Sequence, residues 1–145
     1  MKDKHLKLLQ RYDFEKPNFE KYEKNNIQVK QDKETKAWSL YIDKKEVRTV
    51  DRFFVSCFSY MAMTDIAFGT TAIKGWGLGE IPNWLRFKPQ VREVTVIEPN
   101  IDIIDYHEKV NTDMWGSVNM IQTRSLSFGM KCDVLLLDRY YTREP

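Results

Sequence analysis

The sequence predicts an α/β fold in which a small antiparallel meander precedes a layered parallel sheet. Three observations predict it. Residues 26–50 alternate polar and apolar in three short runs separated by tight turns, the pattern of half-buried antiparallel strands. From Thr70 onward the order becomes strand–helix–strand–helix–strand–strand, which calls for parallel strands joined by helices. The last of these runs, "KCDVLLLD", is continuously apolar, as a strand covered on both faces should be.

The elements follow in chain order. Residues 4–12 suit a short helix with Leu6, Leu8 and Leu9 inward, and Pro17 interrupts what comes next. "NIQVKQD" (26–32) is the first strand candidate and "KETK" turns the chain. "AWSLYID" (37–43) sets Trp38, Leu40 and Ile42 on one side; "KK" (44–45) turns again and "EVRTV" (46–50) returns. Asp51 then caps an apolar helix with Phe54, Phe58 and Met61 at helical spacing, ending near Phe68–Gly69, where glycine is a natural stop. "TTAIKG" reads as a strand, and "EIPNWLRF" as a helix with Pro82 in its first turn, where proline is tolerated. "REVTVIEPN" is a strand rich in β-branched residues, and "IDIIDYHEKV" an amphipathic helix with Ile101, Ile104 and Tyr106 inward. "SVNMIQT" and "KCDVLLLD" complete the series.

Composition narrows the function. At 145 residues the chain is long enough for one domain, or one with a small appendage. No apolar run reaches the roughly 20 residues that span a bilayer. The N-terminus lacks the apolar core and cleavage site of a signal peptide, so a cytoplasmic location and no membrane partner are expected. Cys57 and Cys132 each sit in an apolar run and are expected as reduced core thiols. With His5 and His107 as the only histidines, no metal site is expected. The first 50 residues carry 13 Lys/Arg against 9 Asp/Glu, and Tyr12, Phe14, Phe19 and Tyr22 interleave with lysines. That density suits a solvated amphipathic arm better than a nucleic-acid surface.

"KGWGLGEIPNWL" (74–85) carries the chemistry. Gly75, Gly77 and Gly79 follow the first parallel strand, at the end where open α/β sheets bind ligands. Glycine permits a tight turn and close approach of backbone to ligand. A dinucleotide site needs a third glycine where Glu80 stands; here it comes one position early, and a carboxylate at that point repels pyrophosphate. A ligand with a cationic centre and no phosphate tolerates Glu80 better. Glu98 ends the next strand, 19 residues after Gly79, close to the spacing of an acid that accepts hydrogen bonds from a ribose. The plain structural alternative is a turn that needs glycine and a solvated strand end at Glu98.

Together, "AIKGWGLGEIPNWL", "VREVTVIEPNIDIIDYH" and "KCDVLLLD" resemble the nucleoside-binding half of class I S-adenosylmethionine-dependent methyltransferases, closest to the spermidine-synthase-like branch. The preceding hairpin and helix, "WSLYIDKKEVRTVDRFFVSCFSYMAM", resemble that branch as well, and the likeness covers roughly residues 26–138. It implies a Rossmann-like class I methyltransferase half-sheet, parallel strands with flanking helices, behind the meander and helix. Residues 1–68 would be the N-terminal helix, meander and linking helix, and 69–145 the adenosyl-ligand-binding region. It also implies a cofactor, S-adenosylmethionine or its decarboxylated form. Gly75, Gly77 and Gly79 would line its methionine part, Glu98 would hold the ribose, and Pro99 and Asn100 would border the adenine. Asp138 would face the reactive end. Apart from the resemblance, Tyr140 and Tyr141 are expected with Asp138 on the acceptor side, because aromatic faces attract cationic groups.

The departures shape the expectation. Where the family has an acid for the adenine amino group, this chain has Arg124 and Ser125, of which only the serine accepts a hydrogen bond. Where aminopropyltransferases carry a further aspartate, it has Arg139, Tyr140 and Tyr141, and Arg139 and Arg143 oppose a polyamine. The family fold continues for three more strands, so a chain ending at Pro145 is expected to be minimal and completed by a partner, or a degenerate relative. Two readings result: a methyl- or aminopropyltransferase acting on a polyamine, nucleic acid or protein, and a catalytically inactive nucleoside-binding or assembly protein. In the second, an open sheet edge favours a homo-oligomer. A nicotinamide-dependent oxidoreductase is disfavoured by Glu80.

Overall fold

Each alternating run of the N-terminal third becomes a strand. β1 (Tyr22–Lys24), β2 (Ile27–Gln31), β3 (Trp38–Ile42) and β4 (Lys45–Val50) form an antiparallel sheet in that order. The structure is a computed structural model that describes residues 17–51, 64–114, 116–123 and 131–137. The helix expected over 4–12, Tyr12, Phe14 and Cys57 lie outside them. So does most of the helix expected from Asp51 to near Phe68–Gly69; of its described end only Thr64 and Asp65 are helical, and Gly69 opens the next strand instead of stopping the helix.

Turn chemistry sets the meander's register. Asp32 opens the β2–β3 loop: its Oδ1 accepts the N–H of Thr35 at 2.8 Å and of Glu34 at 2.9 Å. Those bonds hold its carboxyl below the usual carboxylate value. Asp43 and Lys44 both take positive φ, 52° and 64°, the left-handed pair that matches a hairpin's twist. The turn therefore falls one residue earlier than expected, and β4 begins at Lys45. β1 was not expected at all. Three residues with two charges carry no readable period; pairing with β2 makes them a strand. Phe19 and Tyr22 do not form a solvated arm. Phe19 stacks on Trp38 at 5.9 Å, and both Phe19 and Tyr22 pack against the core.

The second sheet is parallel. β5 (Gly69–Lys74) leads through α1 (Glu80–Arg86) to β6 (Val91–Ile97), and through α2 (Ile101–Val110) and a 3-10 turn (Thr112–Met114) to β7 (Val118–Ile121). β8 (Val134–Leu137) then pairs with the far side of β5, giving the order β7-β6-β5-β8. This is a Rossmann-like α/β half-sheet, with strands in the spatial order third, second, first, fourth. The direction of growth reverses between β5 and β8, the point at which such sheets bind ligands.

Register puts Ile73, Val96 and Leu136 on one face of this sheet. They join a single buried cluster with Ile81, Trp84 and Leu85 of α1, Ile103, Ile104 and Tyr106 of α2, and Ile27, Val29, Leu40 and Val50 of the meander. Two expectations need correction. Ile101 is 46% exposed, not inward. Asn100 caps α2 by accepting from the N–H groups of Asp102 and Ile103, which makes Ile101 the first helical residue and turns the buried face to Ile103, Tyr106, His107 and Val110. β8 is not covered on both faces: Leu136 is buried, while Leu135 and Leu137 are each 42% exposed. It stands at the end of the described sheet, so the continuous burial its apolar run predicts falls to β6 instead. Cys132 is half-buried, not a core thiol. Among the described residues no helix is long and apolar enough to cross a membrane.

The meander is joined to the parallel layer by a chain of buried polar groups. Asn111, just past α2, brackets the backbone of Asn18: its Oδ1 accepts the Asn18 N–H at 2.7 Å and its Nδ2 donates to the Asn18 carbonyl at 3.2 Å. This fixes the amide's orientation, so the same Nδ2 faces His107 Nδ1 at 3.0 Å as a donor. His107 Nδ1 must then accept, and Nε2–H donates to the Gly77 carbonyl at 3.0 Å. The ring also stacks on Trp76 at 4.7 Å. Burial pushes the imidazole pKa down to about 4, so it is neutral in the folded chain.

A pH dependence follows. Between the ordinary value of 6.5 and about 4, the unfolded chain takes up a proton that folded His107 refuses. Its contribution is complete above pH 6.5 and is lost as pH falls toward 4, about 3 kcal/mol in all. Urea unfolding between pH 7.5 and 4 is expected to show this slope over and above that of His107→Gln. Equal slopes in the two proteins would refute the assignment.

Candidate functional site

The carboxyl ends of the parallel strands meet at one edge. Lys74, last in β5, pairs with Ile97 of β6 and Leu137 of β8, and Ile97 pairs with Ile121 of β7. Gly75 and Glu98 therefore leave the sheet side by side. The Gly75 N–H donates to the Ile97 carbonyl at 2.8 Å, and the Glu98 N–H to the Ile121 carbonyl at 2.9 Å. These bonds extend the ladder by one step and aim the Glu98 side chain across the turn.

Glu98 spans two loops. Its Oε1 accepts the Trp76 N–H at 2.9 Å and its Oε2 the Asn100 N–H at 3.0 Å. The residue has no exposed surface, so it is not a solvated strand end. Charge-assisted bonds to backbone N–H groups are what a buried carboxylate requires. Pro99 and Asn100 are half-buried, and the Asn100 side-chain oxygen is committed to capping α2.

The three glycines are needed by the backbone: φ is 104° at Gly75, 53° at Gly77 and 88° at Gly79. Two are needed by packing as well. A Cβ on Gly77 would lie 3.1 Å from Arg48 Nε, and one on Gly79 would lie 3.0 Å from His107 Cε1 and 3.2 Å from Met114 Cε. Gly79 then becomes the N-cap of α1, its N–H bonded to the Trp76 carbonyl at 2.8 Å. Trp76 and Leu78, between the glycines, are buried in the core.

Glu80 is 1% exposed. Its Oε1 lies 3.0 Å from Arg48 Nε, an ion pair reaching from the meander to the turn. Neither carboxylate oxygen accepts a well-aligned hydrogen bond. Among the described residues, the polar groups at the turn are two buried carboxylates, one guanidinium and a neutral imidazole. That chemistry accepts hydroxyl and ammonium hydrogens and disfavours a pyrophosphate. It fits an adenosyl donor, whose ribose and amine supply such hydrogens.

Of the residues expected at the site, the structure brings Gly75, Gly77, Gly79, Glu98, Pro99 and Asn100 together. Ser125, Asp138, Tyr140 and Tyr141, with Arg124, Arg139 and Arg143, lie outside the described residues. Arg48, His107 and Asn111 were not foreseen at the turn. Arg48 sits in an ordinary strand pattern, and nothing local marks a contact 32 residues away with Glu80. His107 was visible only as one of the chain's two histidines. Among the described residues no group of His, Cys, Asp and Glu could hold a metal.

The turn's dependence on glycine is measurable. Gly79→Ala is expected to lower the unfolding free energy by about 2 kcal/mol, from the positive φ and the His107 contact. Gly116→Ala, where an added methyl meets nothing within 4 Å, should stay within about 0.5 kcal/mol of the parent. Denaturant titration of both variants checks the difference.

No family model matches this chain, and no curated protein matches it. Among solved structures it is similar to spermidine synthase from Thermotoga maritima, with a TM-score of 0.59 and 13% sequence identity. The match covers 89% of this chain and 48% of that one, so this chain spans about half the length of its neighbour. The match spans most of this chain, and it shows the fold: a Rossmann-like parallel α/β sheet behind an antiparallel meander.

Proposed function

We propose that the chain is a cytoplasmic transferase that binds S-adenosylmethionine or its decarboxylated form at the carboxyl ends of β5 and β6. One observation carries this reading: Glu98 ends β6 with its carboxylate on the Trp76 N–H of the glycine turn, beside the reversal of strand order. Residues 69–145 form the adenosyl-binding region, with Gly75, Gly77 and Gly79 along the methionine part. Glu98 accepts the ribose hydroxyls. Pro99 and Asn100 border the adenine, and Ser125 accepts from its amino group. Asp138, Tyr140 and Tyr141 face the acceptor, the tyrosine rings attracting cationic groups. The sulfonium supplies an activated carbon and leaves as a neutral thioether. The chain need only align a nucleophile with that carbon, so positioning accounts for most of the rate. The acceptor is a polyamine, a nucleic acid or a protein.

A second reading is favoured by a specific observation, the complete burial of Glu98 with each oxygen already on a backbone N–H. In that reading the carboxylate only braces the turn and the chain is a non-catalytic binding or assembly protein. The exposed Leu135 and Leu137 of β8 then mark the edge that pairs with a second copy.

Calorimetry with S-adenosylmethionine, its decarboxylated form, S-adenosylhomocysteine and NAD separates these readings. Adenosyl ligands are expected to bind and NAD not to. Glu98→Gln, checked for folding by circular dichroism, should weaken binding by roughly tenfold to a hundredfold, as loss of hydrogen bonds to a charged acceptor does. If no adenosyl ligand binds, the transferase reading fails. Mass spectrometry of polyamine, nucleic-acid and protein acceptors then identifies the transferred group, and light scattering reports whether a dimer forms.

A further inference from the structure

The hydrogen bonds behind the glycine turn run in one direction. They begin at a surface strap. Asn18 and Glu20 are exposed, yet both reach groups at the end of α2. Asn111 brackets the Asn18 backbone. The Asn18 side chain donates to the Val110 carbonyl, and the Glu20 N–H to the Tyr106 hydroxyl, each at 3.3 Å. The bonds end at Gly77, which stands at a positive φ of 53°. Between strap and turn lie Asn111 and His107, neither with any exposed surface. Filling the space beside Trp76 asks only for an apolar ring. A ring with one accepting and one donating nitrogen, each bonded, also passes on an orientation.

Each step allows one arrangement. The Asn18 backbone offers Asn111 a donor and an acceptor, so the amide cannot turn over while the strap is docked. The amide then presents an N–H to His107 Nδ1 at 3.0 Å, and that nitrogen must accept. The proton of the ring is left on Nε2, for the Gly77 carbonyl at 3.0 Å. With the strap undocked, the amide is free to turn over. Its oxygen would then draw the proton to Nδ1, and Nε2 would meet the Gly77 carbonyl with a lone pair. Two acceptors at that distance repel. The peptide after Gly77 is planar and trans, so this loss frees a whole plane in the middle of the turn. That plane lies between the Trp76 N–H held by Glu98 and the Gly79 cap of α1. We propose that Asn111 and His107 are positioning residues for the glycine turn, and that docking of the Asn18–Glu20 strap selects the imidazole tautomer that holds it. The amide flip is the two-state element, biased by strap and turn from opposite ends. A ligand seated on the turn therefore tightens the strap by the factor by which the strap tightens the ligand. This last consequence rests on the adenosyl-donor reading; the relay itself does not.

Magnetic resonance on the whole chain at pH 7 tests the relay. In the parent, with His5→Gln assigning the signals, His107 is expected to show an unprotonated Nδ1 and a protonated Nε2. Asn18→Gly removes the anchor on Val110 and loosens the strap backbone. It should bring an Nδ1-protonated ring into view and speed exchange of the Gly79 amide roughly tenfold, with the β5–β6 ladder unchanged. His107→Phe keeps the ring against Trp76 and cuts the relay, so adding Asn18→Gly to it should leave the Gly79 amide no faster. Asn111→Ala cuts the relay one step earlier and covers a failure of His107→Phe to fold. A purely structural strap speeds the ladder as much as the turn, or acts equally with and without His107; either result overturns the proposal, as does a parent ring protonated on Nδ1. Calorimetry adds the ligand arm. Asn18→Gly should weaken S-adenosylmethionine roughly fivefold, and an unchanged affinity overturns the link to the ligand. If the parent binds no adenosyl ligand, the adenosyl-donor reading fails, and tautomer and exchange still decide the relay.

Discussion

Everything around the glycine turn depends on where Glu98 puts its two oxygens. One takes the Trp76 N–H and the other the Asn100 N–H, so a single carboxylate joins the loop after β5 to the loop after β6. The strands themselves are already paired, but their pairing ends at Lys74 and Ile97. After one further ladder step at Gly75 and Glu98, two loops must change direction without ladder bonds to guide them. A charged acceptor holds backbone donors about twice as strongly as a neutral one. It also fixes where α2 starts, because Asn100, whose N–H it holds, is the residue that caps that helix. The exposed Ile101 and the buried His107 are both consequences of that starting point.

The turn is then supported from the outside by side chains far away in sequence. His107 comes from α2 and holds the Gly77 carbonyl; Met114 comes from the 3-10 turn; Arg48 comes from the meander. The glycines therefore answer to two demands. Their φ values demand glycine for the path of the chain, and at Gly77 and Gly79 their neighbours occupy the space a side chain would fill. A spacing of alternate glycines is commonly read as room left for a ligand. Here much of that room is left for the protein itself, which lets the meander and the parallel layer share one core.

What the sequence made legible follows the range of the interactions. Strands β2 to β7 and both helices declare themselves through period and punctuation, which are local, and Glu98 declares itself as a carboxylate ending an apolar run. β1 stayed hidden because its three residues, two of them charged, become a strand only by pairing with β2. The apolar run of β8 overstated its burial, because covering depends on what lies beside a strand rather than on its own composition. Arg48 and Asn111 were illegible for the same reason. Each acts through a partner that the chain reaches only by folding: Arg48 through Glu80, and Asn111 through Asn18, 93 residues away. Local pattern finds the acid that a site is built on, while tertiary structure chooses the groups that tune it.

Electrostatics narrows what such a site accepts. Among the described residues, two buried carboxylates, Glu80 and Glu98, stand against one guanidinium, and His107 is held neutral by burial with its proton on the nitrogen that faces Gly77. The surroundings of the turn therefore lean negative. A pyrophosphate placed there would meet like charge in a poorly hydrated setting, where Coulomb terms exceed their value in water several-fold. The departure from the dinucleotide glycine spacing and the arrival of Glu80 at that position are thus one change, not two. Moving the third glycine one residue forward allows α1 to begin on a carboxylate, and Arg48 keeps that carboxylate from being left alone in the core.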